Sequence, residues 1–123
     1  MIDHVLLEVS NLKKFTAFFK AALKPLGIKV LHEGEEFVGF GNDDGMPFHL
    51  YAGKKKDLTR NAHIAFSAQN RKQVDAFHRQ AVKAGGKSNG APGPKPEHGK
   101  YAYSAYVLDL AGNNIEAICY RKP

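Results

Sequence analysis

At 123 residues, with 43% hydrophobic and 24% charged residues, the chain has the size and composition of one globular domain, which excludes disordered, collagenous and coiled-coil proteins. The net charge of +6 comes from scattered basic residues (Lys13-Lys14, Lys54-Lys55-Lys56, Arg71-Lys72, Arg121-Lys122) with no interleaved aromatic residues, so no nucleic-acid partner is expected.

The elements follow a repeat. Asp3 to Gly27 lies over Ala62 to Gly86 at an offset of 59, matching His4 with His63, Asn11 with Asn70, Phe18 with Phe77 and Gly27 with Gly86. Ile2 to Val9 alternates as a strand, with Val5, Leu7 and Val9 on one face and His4, Leu6 and Glu8 on the other. Ser10 or Asn11 caps a helix whose apolar stripe is Leu12, Phe15, Phe18, Phe19, Ala22 and Leu23, and Pro25 and Gly27 end it. Short strands are expected over 28–31, 36–40 and 46–51. Ile64, Phe66 and Ala68 then form the buried face of a second leading strand. Asn70 caps a second helix with the stripe Val74, Phe77, Ala81 and Val82, stopped by Gly85-Gly86. A weak strand is expected near Lys87-Ser88, and further strands over 101–108 and 114–120. Asn89 to Lys100, with three prolines and three glycines, reads as a long surface loop. That stretch lengthens the second copy, so the offset becomes 67 and His49 falls opposite Glu116, Phe40 opposite Val107.

Each copy thus reads β-α-β-β-β. The expectation is one α+β domain over 1–123, with module one about 1–58 and module two about 60–123. The two modules form a curved mixed sheet around a cavity. No apolar run approaches the roughly 20 residues of a membrane span, and Met1-Ile2-Asp3-His4 does not begin a signal peptide. The lone Cys119 excludes a disulfide framework. A cytoplasmic protein with no membrane partner is expected.

Four polar residues occupy equivalent places in the copies. His4 and His63 belong to the leading strands and His49 and Glu116 to the last ones, each turned away from apolar neighbours. Singly, each reads as a hydrogen-bonded residue of a half-buried strand. Jointly, three imidazoles and a carboxylate make a ligand set for Zn, Fe, Ni or Mn if the copies pack around a pseudo-two-fold axis. Of the other candidates, Tyr106 takes the opposite strand face from Tyr101 and Tyr103. His32 and His78 read as surface residues, His98 as an exposed loop residue or one that closes over a site, and Cys119 as a buried thiol.

The segments Ile2-Asp3-His4-Val5, Val9-Ser10-Asn11-Leu12, His63-Ile64-Ala65-Phe66 and Val107 to Glu116 resemble the vicinal oxygen chelate superfamily. That group includes glyoxalase I, extradiol dioxygenases, methylmalonyl-CoA epimerase and the fosfomycin and bleomycin resistance proteins. Its last motif usually reads D-P-D-G-x-x-I-E; here Leu110 replaces the proline and Ala111 the second acid. The resemblance implies a divalent metal ion held by His4, His63 and Glu116, with His49 as a fourth ligand or neighbour and Glu116 also as catalytic base. His49 stands where glyoxalase I has a carboxylate. A homodimer acting on a small-molecule substrate is implied, by lyase, isomerase or dioxygenase chemistry. The alternative is a metal-free small-molecule binding or resistance protein of the same fold.

Overall fold

A computed structural model describes residues 1–123. In chain order the elements are β1 (Val5–Val9), α1 (Leu12–Leu23), β2 (Lys29–Glu33), β3 (Phe37–Asn42), β4 (Gly45–Ala52), β5 (His63–Ser67), α2 (Arg71–Lys83), β6 (Lys87–Pro94), β7 (Tyr103–Leu108) and β8 (Asn114–Cys119). The fold is α+β, with two βαβββ modules in tandem. Each module has its own four-stranded mixed sheet, ordered β1-β4-β3-β2 and β5-β8-β7-β6.

Local chemistry starts both helices the same way. The Asn11 side chain accepts a hydrogen bond from the Lys14 backbone N–H (3.0 Å), and Asn70 accepts from Gln73 (2.9 Å), each satisfying one of the helix's unpaired first-turn donors. Lys24–Leu26 tightens the end of α1 into a 3-10 turn, and Gly27 follows in the left-handed region at φ 77°.

The register carries the repeat into three dimensions. In the first sheet Leu6 pairs with His49 and Phe40 with Phe48. In the second, Ala65 pairs with Glu116 and Val107 with Ile115. These are the same positions displaced by the offsets of 59 and 67 read in the sequence.

One correction concerns Asn89 to Lys100. Its first half is the strand β6, hydrogen-bonded to β7 through a broken register, and only Pro96–His98 forms a 3-10 turn beyond it. Prolines are tolerated there because β6 is an edge strand, where one side of the backbone needs no ladder partner.

Leu7, Val9, Phe15, Phe18, Phe19, Phe40, Phe48, Leu50, Phe77, Val107 and Ile115 share one core. Helix α1 packs on β2 to β4, α2 packs on β6 to β8, and the helices pack on each other. One face of each sheet is therefore buried under helix. On the other face of the first sheet Leu6 and Tyr51 stay exposed, whereas on that of the second sheet Ser104, Glu116 and Ile118 are buried.

Candidate functional site

On the bare face of the first sheet, His4 and His49 stack with ring centroids 4.6 Å apart. His49 continues edge-on to Phe37 (4.9 Å), and Phe37 leans on His32 (5.0 Å), so four rings cross the sheet from β1 to β2. His49 Nε2–H donates to the Met46 carbonyl oxygen at 2.7 Å. A carbonyl can only accept, which leaves Nδ1 with the free lone pair. His4 Nδ1 lies 2.6 Å from the Asp3 carboxylate, leaving Nε2 free in the same way.

On the corresponding face of the second sheet, His63 and Glu116 form the other pair. His63 Nδ1–H donates to the Asn114 carbonyl oxygen (3.1 Å), while Nε2 faces Glu116 Oε1 at 3.0 Å. Glu116 is 5% exposed, and half of the His63 side chain is open to solvent. Tyr106 pairs with Glu116 across the strands, and its ring lies nearly parallel to that of His63, with centroids 6.2 Å apart. Nearby on β7, Ser104 Oγ is buried with no hydrogen-bond partner.

The four sequence-predicted residues thus come together as two pairs, His4 with His49 and His63 with Glu116. No three His, Cys, Asp or Glu residues of one chain gather closely enough to hold a metal ion. A cavity of about 770 Å³ lies between the modules and is lined by Ile2, Asp3, Phe48, His63, Phe66 and Ile118 among others.

The second pair suits a cation by its hydrogen bonding. The Nδ1–H of His63 is used on a carbonyl, so a neutral imidazole turns its Nε2 lone pair toward the carboxylate. The arrangement lacks one positive charge between them, a proton or a metal ion. Two donors held at about 2.1 Å from one ion lie about 3 to 3.4 Å apart, so the 3.0 Å separation admits a shared ion as well as a direct hydrogen bond. The Asn114 carbonyl would then act as the outer partner that fixes ring orientation.

A buried polar knot positions this pair, and the sequence reading missed it. Asn113, fully buried, accepts from the Ala62 N–H (2.9 Å) through its side-chain oxygen. Its amide donates to the Thr59 carbonyl (3.1 Å) and to Asp109 Oδ2 (2.9 Å). Asp109 Oδ1 accepts from the Ala111 and Asn113 backbones. The knot ties the start of β5, just before His63, to the turn that leads into Asn114 and Glu116. Its visible signal was the Asp109 to Asn113 turn motif.

Residues 1–117 match the family described as Glyoxalase/Bleomycin resistance protein/Dioxygenase superfamily. The chain belongs to this superfamily. It is similar to a glyoxalase/bleomycin resistance protein from Albidiferax ferrireducens T118, with 26% identity, TM-score 0.82, and 97% and 98% of the two chains covered. A glyoxalase-related enzyme from Fulvimarina pelagi shares the fold at 16% identity and TM-score 0.75, covering 97% of this chain and 87% of that one. A lactoylglutathione lyase from Agrobacterium tumefaciens does so at 18% identity and TM-score 0.69, covering 97% and 92%. No curated protein matches the chain significantly. No helix of this superfamily member is long and apolar enough to cross a membrane.

Proposed function

We propose that the chain is a metal-dependent, glyoxalase-like enzyme acting on a small oxygen-bearing substrate, by lyase, isomerase or dioxygenase chemistry. Two copies of the chain build each site. The observation that carries the reading is the His63–Glu116 pair, whose Nε2 and Oε1 lie 3.0 Å apart while the other imidazole nitrogen is engaged by the Asn114 carbonyl. His63 Nε2 and Glu116 Oε1 supply one half of the ligand set. His4 Nε2 and His49 Nδ1 of a second copy supply the other, since no single chain gathers three such groups. The exposed Leu6 and Tyr51 on the first sheet and the unpaired edges β1 and β5 favour such a homodimer.

A divalent ion held there (Zn, Ni, Fe or Mn) supplies Lewis acidity to neighbouring substrate oxygens. The chain's own residues do the rest. Asp3, Met46 and Asn114 fix which nitrogen of each imidazole is free. Glu116, on a buried strand, is the group placed to take or return a proton. The lactoylglutathione lyase neighbour makes a methylglyoxal–glutathione adduct one substrate to assay, beside other dicarbonyls, catechols and acyl-thioesters.

Elemental analysis of protein purified without chelators tests the metal. The expected result is about one transition metal per chain, with a higher Tm on adding Zn²⁺, Ni²⁺, Mn²⁺ or Fe²⁺. His63→Ala should lose the metal while remaining folded. Protein free of metal, with no gain in Tm from any of the four ions, would overturn the reading and favour the metal-free binding protein.

A further inference from the structure

The face that carries His63 and Glu116 also holds a lysine without an acidic partner. Lys95 follows the end of β6, and its Nζ lies over the Tyr106 ring, 5.4 Å from the centroid. The close histidine–carboxylate contacts of the chain are His4 with Asp3 and His63 with Glu116, and no carboxylate lies within ion-pair distance of Lys95. The ring beneath it is fixed in place. Tyr106 pairs with Gly90 on one side and Glu116 on the other. A Cβ at Gly90 would come within 2.9 Å of Tyr106 Cδ2, so only glycine leaves the ring its seat. The opposite end of the row is His63, 6.2 Å from Tyr106. These two spacings bound the distance from the Lys95 ammonium to the His63 imidazole at about 12 Å.

We propose that Lys95, seated on Tyr106, recognises an anionic group on the substrate of the His63–Glu116 site. This rests on the metal-site reading above. The substrate class is a small acid, with oxygens at the His63–Glu116 end and a carboxylate or phosphate within about 12 Å of them, at Lys95. Tyr106 separates the two ends, its ring supporting the ammonium through its face and limiting how far the lysine wanders. An ammonium normally roams in water at the end of a flexible stem; one held beside a ligand pair with no counter-charge is an anion receptor. The competing occupant of Lys95 is a carboxylate from a second copy of the chain, and the test separates the two.

The probes are succinic acid monohydroxamate and butyrohydroxamate, which share a chelating head and a chain length and differ in the distal carboxylate. Calorimetric titration of the metal-loaded protein should show at least about tenfold preference for the carboxylate-bearing probe. Lys95→Met, which keeps the apolar stem over the ring, should remove that preference and leave butyrohydroxamate affinity unchanged. Equal preference in both proteins overturns the proposal. So does dissociation of a dimer in Lys95→Met with the preference intact, because the lysine then serves the subunit contact. If the protein takes up no metal, the metal reading fails. The anion receptor is then judged on the metal-free protein by titrating succinate and inorganic phosphate against the Tyr106 ring resonances. Shifts in the wild type that vanish in Lys95→Met uphold it, with the stronger of the two ligands identifying the anion, and no shift with either overturns it.

Discussion

Asn113→Ala tests the link between buried hydrogen bonding and the site. The substitution strips an acceptor from the Ala62 N–H and donors from Asp109 Oδ2 and the Thr59 carbonyl. Asn113 is fully buried and Asp109 nearly so, and water cannot readily replace what is lost. Each buried group left unpaired costs about 1–3 kcal/mol, and the Thr59 carbonyl, nearer the surface, least. The expected loss is about 3 kcal/mol, a large part of the roughly 5–15 kcal/mol that holds a domain together. Denaturant titration with an unchanged m-value reads it directly. Asn113→Asp separates hydrogen bonding from packing. It keeps the volume and the acceptor for Ala62 but sets a second carboxylate against Asp109, and it should cost at least as much. Metal affinity should fall in both variants, since the knot precedes His63 and Asn114. A loss below about 1 kcal/mol in both would refute the reasoning, because the knot would then be dispensable.

Two further predictions concern other polar groups. Ser104→Ala removes a buried hydroxyl that has no partner, and should raise stability by about 1 kcal/mol, or about 3–6 °C in Tm; a lower Tm would mean that Oγ has a partner. Tyr103 donates to Asp75 at 2.6 Å, and that hydrogen bond, aided by burial and the Asp75 charge, raises its pKa above 10.0. The neutral phenol is favoured in the folded state, so its stabilisation is full below pH 10 and fades as pH rises through the raised value. Wild-type protein should lose stability above pH 10 more steeply than Tyr103→Phe in pH-dependent denaturation, and parallel curves would contradict this.

Much of this architecture was legible because local signals and the repeat agree. Asn11 and Asn70 cap where an Asn precedes an amphipathic stripe. The change of offset from 59 to 67 anticipates that His49 and Glu116 occupy equivalent rungs, opposite Leu6 and Ala65. What failed to read locally depends on tertiary position. The Pro- and Gly-rich stretch from Asn89 looks like a loop, yet it is a strand because an edge location removes the penalty on proline. The gathering of His4, His49, His63 and Glu116 was expected around a pseudo-two-fold axis. The structure brings them into contact as two pairs, His4 with His49 and His63 with Glu116, because each pair lies at neighbouring strands of its own sheet. Asn113 was invisible because its partners, Thr59 and Ala62, lie more than 50 residues away.

The shared-site account is tested most directly by mixing two broken chains. His4→Ala/His49→Ala lacks the first half of the ligand set and His63→Ala breaks the second, so each alone should bind little metal. After unfolding and refolding together, each mixed dimer should hold one intact site and one doubly broken one. Elemental analysis of the isolated mixed dimer should then find about one metal ion per two chains. Mixed dimers as empty as their parents, or a monomeric wild-type chain that binds metal on its own, would contradict it.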